Sequence, residues 1–227
     1  MKDRPTPSRA AGAKRILVVD DHPMTRHGVA TLLEQQPGLV VIGQVDSARA
    51  ALAAVRADPP DLVVADLGLG ERSGLDLIKD LHALHPELPI LVFSMHYESL
   101  YAERALRAGA RGYLMKSEGA APLIAAVRAV LHGKVFLSEA MRDRAVTHFS
   151  RGKAAVPSEN ASLLSDRELE IFELIGRALS TRQIARRLRV SVSTVETHRS
   201  HIKEKLGLHN ATELVHAGAN WGGGGTL

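Results

Sequence analysis

Four short apolar runs in this 227-residue chain end on residues able to handle phosphate or a cation. Leu62-Val63-Val64-Ala65 leads into Asp66, and Ile16-Leu17-Val18-Val19 leads into Asp20-Asp21. Ile90-Leu91-Val92-Phe93 leads into Ser94, and Gly112-Tyr113-Leu114-Met115 into Lys116. If these runs are neighbouring parallel strands, their carboxyl ends open on one crevice, where α/β sheets place ligands. Three carboxylates crowded there raise one another's pKa unless a cation joins them. A hard divalent ion, Mg²⁺ or Mn²⁺, with oxygen ligands and retained waters resolves the repulsion. One carboxylate can then attack a phosphoryl donor and become an aspartyl phosphate. Lys116 would neutralise phosphoryl oxygens and Ser94 would donate a hydroxyl hydrogen bond to one of them, because phosphoryl transfer is chiefly positioning and charge stabilisation.

Such chemistry needs a rigid frame, and the first 134 residues encode one. Leu39-Val40-Val41-Ile42 adds a fifth apolar run. Between the runs the apolar period changes to that of helices: Val29, Leu32 and Leu33, then Leu123, Ile124, Val127, Val130 and Leu131, each set on one face. Gly109 and Gly133 follow the last turns as left-handed caps. Continuously apolar strands alternating with helices predict a parallel sheet covered on both sides, since parallel pairing requires long crossovers. Asp66 therefore falls at the end of a strand buried on both faces.

Length and composition favour two globular domains. No apolar stretch approaches the roughly 18 residues of a membrane span, so no membrane association is expected. The absence of cysteine excludes disulfides and thiolate metal sites and fits the cytoplasm. Residues 1–13 read as a disordered leader, 135–162 as a linker carrying a helix, and 222–227 as a flexible glycine tail. The net charge is +4, and within it residues 177–205 hold eight basic residues against two acidic ones. A basic cluster confined to one part of the chain points to a polyanion partner there.

Residues 163–221 carry four capping-box patterns in quick succession: Ser165 with Glu168, Ser180 with Gln183, Ser193 with Glu196, and Asn210 with Glu213. A plainer cap at Ser191 competes with the third. Four short helices follow, the second and third separated by a turn of helix-turn-helix length. The third would bury Val195, Ile202 and Leu206 while exposing Glu196, Thr197, Arg199, Ser200 and Lys203 to a major groove. Thr194 stands at its start, and Arg182 flanks it for phosphate contact. The histidines at 198, 201, 209 and 216 lack zinc-site spacing with acidic partners, and His22 and His96 read as rim residues without a role.

Val18-Val19-Asp20-Asp21-His22-Pro23, Asp66 with Gly74, Ser94-Met95-His96 and Gly112-Tyr113-Leu114-Met115-Lys116 together resemble the receiver domain of two-component response regulators, over roughly residues 14–134. The resemblance implies a five-stranded, doubly wound, flavodoxin-like sheet in the order 2-1-3-4-5. It also implies that Asp66 accepts phosphate from a sensor histidine kinase. Asp20, Asp21, Asp66 and the carbonyl of Gly68 would hold the metal, and Ser94 and Tyr113 would form a switch pair beside Lys116. On phosphorylation Ser94 would move toward Asp66 and Tyr113 would fill the vacated space. Gly70 and Ser117 depart from the family pattern, each standing where proline is common.

Leu164-Ser165-Asp166-Arg167-Glu168, Leu179-Ser180-Thr181-Arg182-Gln183-Ile184-Ala185 and Ser193-Thr194-Val195-Glu196-Thr197-His198-Arg199 resemble the LuxR-type DNA-binding domain. Ala178 stands where glycine is common, and Glu196 where lysine is frequent. The two resemblances together imply a regulator of the NarL/FixJ class that binds double-stranded promoter DNA as a homodimer, with residues near 208–217 in the dimer contact. Two other readings stay open on sequence: a Mg²⁺-dependent phosphohydrolase with Asp66 as nucleophile, and a regulator acting through protein contacts alone. The first would place a second carboxylate two positions after its nucleophile, and Gly68 stands there.

Overall fold

A computed structural model describes residues 12–70, 73–139, 141–143 and 163–221. The leader, most of the linker and the glycine tail lie outside the described residues. The first part alternates strands and helices: β1 Lys14–Val19, α1 Pro23–Glu34, β2 Leu39–Val45, α2 Ala48–Ala57, β3 Leu62–Ala65, α3 Gly74–Leu84, β4 Ile90–Ser94, α4 Glu98–Ala108, β5 Gly112–Met115 and α5 Ala120–Leu131. The strands are all parallel, as the alternating pattern predicts, and lie in the order β2-β1-β3-β4-β5 that the receiver resemblance implies.

β3 is buried at every position, and its central place explains why the sequence shows no alternation there. The Asp66 amide donates to the Val19 carbonyl at 2.9 Å, extending β3 along β1 up to the acidic residue. The turn beyond Asp66 folds back tightly enough that Gly74 admits no side chain. A Cβ at that position would stand 2.4 Å from Leu67 Cα and 2.5 Å from the Asp66 carbonyl oxygen.

The second part is all helical: α6 Asp166–Gly176, α7 Thr181–Leu188, α8 Val192–Leu206 and α9 Ala211–Trp221. Ser165 and Ser180 form the predicted capping boxes. At α8 the plainer cap prevails: Ser191 accepts from the Thr194 amide at 3.0 Å, two residues before Ser193. α6 and α9 cross where Gly176 meets Gly218, and there their backbones touch closely enough to forbid a Cβ. Leu164, Leu169, Phe172, Ile184, Leu188, Val195, Ile202 and Leu214 make the small core.

Ala178 takes φ 60°, the left-handed conformation, at the turn between α6 and α7. A Cβ there costs about 1–2 kcal/mol, part of which glycine would return as unfolded-chain entropy. Ala178→Gly is therefore expected to stabilise the protein by about 0.5–1 kcal/mol, seen as a higher midpoint in chemical denaturation. An unchanged or lower midpoint would mean that the turn is not strained.

Candidate functional site

The strand ends bring Asp20, Asp21, Asp66, Ser94 and Lys116 together as predicted. Asp20, Asp66 and Ser94 are buried. Lys116 Nζ donates to Asp66 Oδ2 at 2.5 Å and to Asp20 Oδ2 at 2.7 Å, and Ser94 Oγ donates to Asp66 Oδ1 at 2.7 Å. Each Asp66 oxygen thus has a donor of its own. Burial works to raise the Asp66 pKa, but the Lys116 ammonium, seconded by Ser94 and the Gly68 backbone, outweighs it and holds the group below its usual value. Burial works to lower the Lys116 pKa. The carboxylates of Asp66 and Asp20 reverse that, and its pKa lies above the ordinary lysine value.

Asp21 differs. Burial, with Asp66 and Asp20 adding to it, raises its pKa despite His22 beside it. Its buried Oδ1 lacks an aligned hydrogen-bond donor, although His22 Nδ1 lies 2.7 Å away. Ligand atoms of Asp20, Asp21, His22 and Asp66 all lie within 4.8 Å of one another. An oxygen-rich pocket of three carboxylates, one with a buried oxygen that no aligned hydrogen bond satisfies, fits a hard divalent cation.

Tyr113 is fully buried, and its hydroxyl donates to the His96 carbonyl at 2.9 Å. Ser94, whose amide neighbour His96 carries that carbonyl, reaches Asp66 through its hydroxyl.

His96 was the residue that sequence reasoning missed. It is no rim residue: its side chain is buried and its Nδ1 pairs with Glu173 Oε2 of α6. The imidazole packs on Tyr101, ring centres 4.7 Å apart. Burial disfavours its charged form, but Glu173, with Glu170 and Asp66 beyond, holds its pKa above the ordinary histidine value. Further contacts tie the two parts together. Asp166 accepts from Lys79 and Arg104 at 2.7 Å each. Arg177 donates to the Met95 carbonyl at 3.2 Å, and Arg167 to the Gly70 carbonyl at 3.4 Å. Gly70 takes φ 78°, which proline cannot adopt.

On the helical side, Thr194, Glu196, Thr197 and Ser200 are exposed along α8, and Arg182 is exposed on α7. Arg199 and Lys203 are only part-exposed. The Arg199 side chain keeps 15% of its surface and lies 3.6 Å from Glu196. Contrary to the sequence reading, His198 and His201 do share an acidic neighbour: they meet Glu168. That carboxylate is already matched by Lys205 Nζ at 2.6 Å and the Ser165 amide at 2.7 Å.

Comparison with known proteins agrees with both halves. Residues 16–128 match the family described as "Response regulator receiver domain", and residues 162–217 match "Bacterial regulatory proteins, luxR family". The oxygen regulatory protein NreC of Staphylococcus aureus is 34% identical over 88% of this chain and 94% of its own length. The chain belongs to the LuxR-type response regulators, of the NarL/FixJ class. A LuxR-family two-component response regulator from Aurantimonas is 34% identical, with a TM-score of 0.57, over 61% of this chain and 99% of that one. RcsB, solved as two dimers bound to two parallel DNAs, shares the fold at 24% identity and TM-score 0.55, over 90% of this chain and 97% of that one. As a response regulator with a LuxR-type domain, the protein is a DNA-binding transcriptional regulator and not an enzyme, which removes the phosphohydrolase reading. No helix among the described residues is long and apolar enough to cross a membrane.

Proposed function

We propose that Asp66 accepts a phosphoryl group from a sensor histidine kinase in the cytoplasm, and that the modified chain pairs with a second copy to read promoter DNA. The observation that carries this reading is the convergence of Lys116 and Ser94 on the two oxygens of one buried carboxylate, beside two further carboxylates. Asp66 is held ionised, and the ionised form is the nucleophile. One of its oxygens forms the bond to phosphorus while the bond from phosphorus to the donor nitrogen breaks, and the departing imidazole takes up a proton.

Asp20, Asp21, Asp66 and the Gly68 carbonyl would hold Mg²⁺ or Mn²⁺, which when bound supplies positive charge to the phosphoryl oxygens. Lys116 bridges Asp20 and Asp66 and is placed to follow the new charge. Ser94 orients Asp66, and Tyr113 holds the loop after β4 through the His96 carbonyl.

In the helical domain, set off by residues 135–162, Thr194, Glu196, Thr197 and Ser200 face base edges, while Arg182, Arg199 and Lys203 serve phosphates. A single helix-turn-helix of this size buries too little DNA surface for tight binding, so two copies on paired half-sites are needed. The open groove of Leu208, Thr212, Glu213 and His216 lies where that pairing is expected.

DNA-site selection and mass measurement with and without acetyl phosphate test the reading, which predicts dimers and enriched paired half-sites only in the phosphorylated sample. Within it, Lys203→Ala should lower the slope of log affinity against log salt by about 1 and leave the preferred sequence unaltered. A changed sequence preference would make Lys203 a base reader instead.

A further inference from the structure

The docked helical domain grips the two loops that frame the phosphoacceptor pocket. Beyond β3, Arg167 bonds the Gly70 carbonyl, and a side chain at Gly70 would touch Arg189 at 3.5 Å. Beyond β4, Arg177 bonds the Met95 carbonyl and lies 5.7 Å from the Tyr97 ring centre. Between those grips stands the His96–Glu173 pair.

His96 belongs to both sides of this junction. Its amide donates to Ser94 Oγ at 3.4 Å, and its carbonyl takes the Tyr113 hydroxyl. Its Nδ1 holds Glu173, while its Nε2 lies on the Gly68 side, toward Asp66. A Cβ placed at Gly68 would lie 3.7 Å from Asp66 Oδ2 and 3.8 Å from His96 Nε2. A phosphoryl group on Asp66 Oδ2 would therefore arrive in front of the free nitrogen of an imidazole whose other nitrogen is engaged by the DNA-binding domain.

Charge makes the two engagements compete. Glu170 and Glu173 are both buried on α6. Arg167 answers Glu170 at 2.7 Å, and Arg177 shares Glu173 with His96 at 2.6 Å. Tyr101 Oη is buried near the same carboxylate without an aligned hydrogen bond. Phosphorylation adds about two negative charges and three acceptor oxygens beside this cluster. They attract the imidazole and repel the glutamates. The remote clamp of Asp166 on Lys79 and Arg104 lies on α3 and α4, away from this exchange.

We propose that the His96–Glu173 pair is the coupling element of this regulator: it holds the DNA-binding domain on the phosphoacceptor pocket, and a phosphoryl group on Asp66 releases the domain by taking the imidazole from Glu173. The proposal rests on Asp66 being the phosphoacceptor. Coupling is reciprocal, so whatever phosphorylation loosens must, while docked, oppose phosphorylation.

The chain has no cysteine, so cysteines introduced at the exposed Glu87 and His209 accept a dye pair that reports docking by energy transfer. Label is supplied by acetyl phosphate with Mg²⁺: Asp66 bonds to phosphorus, the bond from phosphorus to the acetyl oxygen breaks, and acetate leaves. Intact mass follows the same samples. Wild type is expected to lose docking on phosphorylation. Glu173→Gln should raise the undocked-to-docked ratio about tenfold before phosphorylation, accept label faster, and respond little further. Asp166→Asn, which weakens only the remote clamp, should also loosen docking but keep the wild-type fold-change on phosphorylation. A labelled wild type that stays docked, or a Glu173→Gln variant that responds by the wild-type factor, overturns the coupling element alone. Absence of label on wild-type Asp66 overturns the phosphoacceptor reading and the coupling with it.

Discussion

Asp66→Asn is expected to abolish uptake of a phosphoryl group from acetyl phosphate, with a loss on the order of 10³-fold or more, the scale on which removing a covalent nucleophile acts. The amide is nearly isosteric with the carboxylate, so packing in the turn before Gly74 is retained. What disappears is the negatively charged oxygen that attacks phosphorus. The other candidates in the pocket do not substitute for it. Asp20 is pinned by the His22 amide on Oδ1, at 2.8 Å, and by Lys116 on Oδ2. Ser94 is a neutral hydroxyl whose proton is directed at Asp66. Lys116 retains Asp20, so the variant does not leave a buried ammonium without a counter-charge. Intact-mass analysis over time measures the effect, and unchanged circular dichroism shows the fold intact. Labelling of the asparagine variant at the wild-type rate would place the acceptor elsewhere and remove the basis of the proposed function.

The pocket was readable because its residues are tied to strand ends. An apolar run four or five residues long fixes where a buried parallel strand stops, and the next residue must face the crevice. Asp20, Asp66, Ser94 and Lys116 all follow such runs, and all four meet. The contact between the two parts was not readable by that route. Glu170 and Glu173 look like the solvated face of a helix, and only a second surface buries them. His96 and Glu173 are 77 positions apart, and neither periodicity nor capping connects them. Arg199 lies within reach of Glu196, three positions before it on the same helix, and is largely covered. In retrospect, glycine at position 70 was a usable signal: a proline-free turn can take the positive φ that leaves room for Arg189. The double reach of Lys116, across Asp20 and Asp66, was likewise invisible to strand-end reasoning, because it depends on side-chain geometry.

Lys116→Met should have opposite effects on metal binding and on phosphoryl transfer. The substitution keeps most of the apolar stem of a side chain that is 8% exposed, and it removes the charge shared by Asp20 and Asp66. Without that charge the three carboxylates oppose one another's ionisation, which costs stability in the absence of a divalent ion. A dication entering the pocket no longer meets an ammonium, so Mg²⁺ should bind several-fold more tightly and return the lost stability by mass action. Transfer, however, loses the donor that would follow the phosphoryl oxygens as charge builds on them. Removing one such preorganised donor costs about 10²–10³-fold in rate. Calorimetric titration with Mg²⁺ and the time course of labelling at saturating metal separate the two effects. Tighter metal with slower labelling assigns Lys116 to the transferred group. Weaker metal with an unchanged saturated rate would instead make it a scaffold for Asp20 and Asp66, and the charge argument for the pocket would have to be rebuilt around the cation alone.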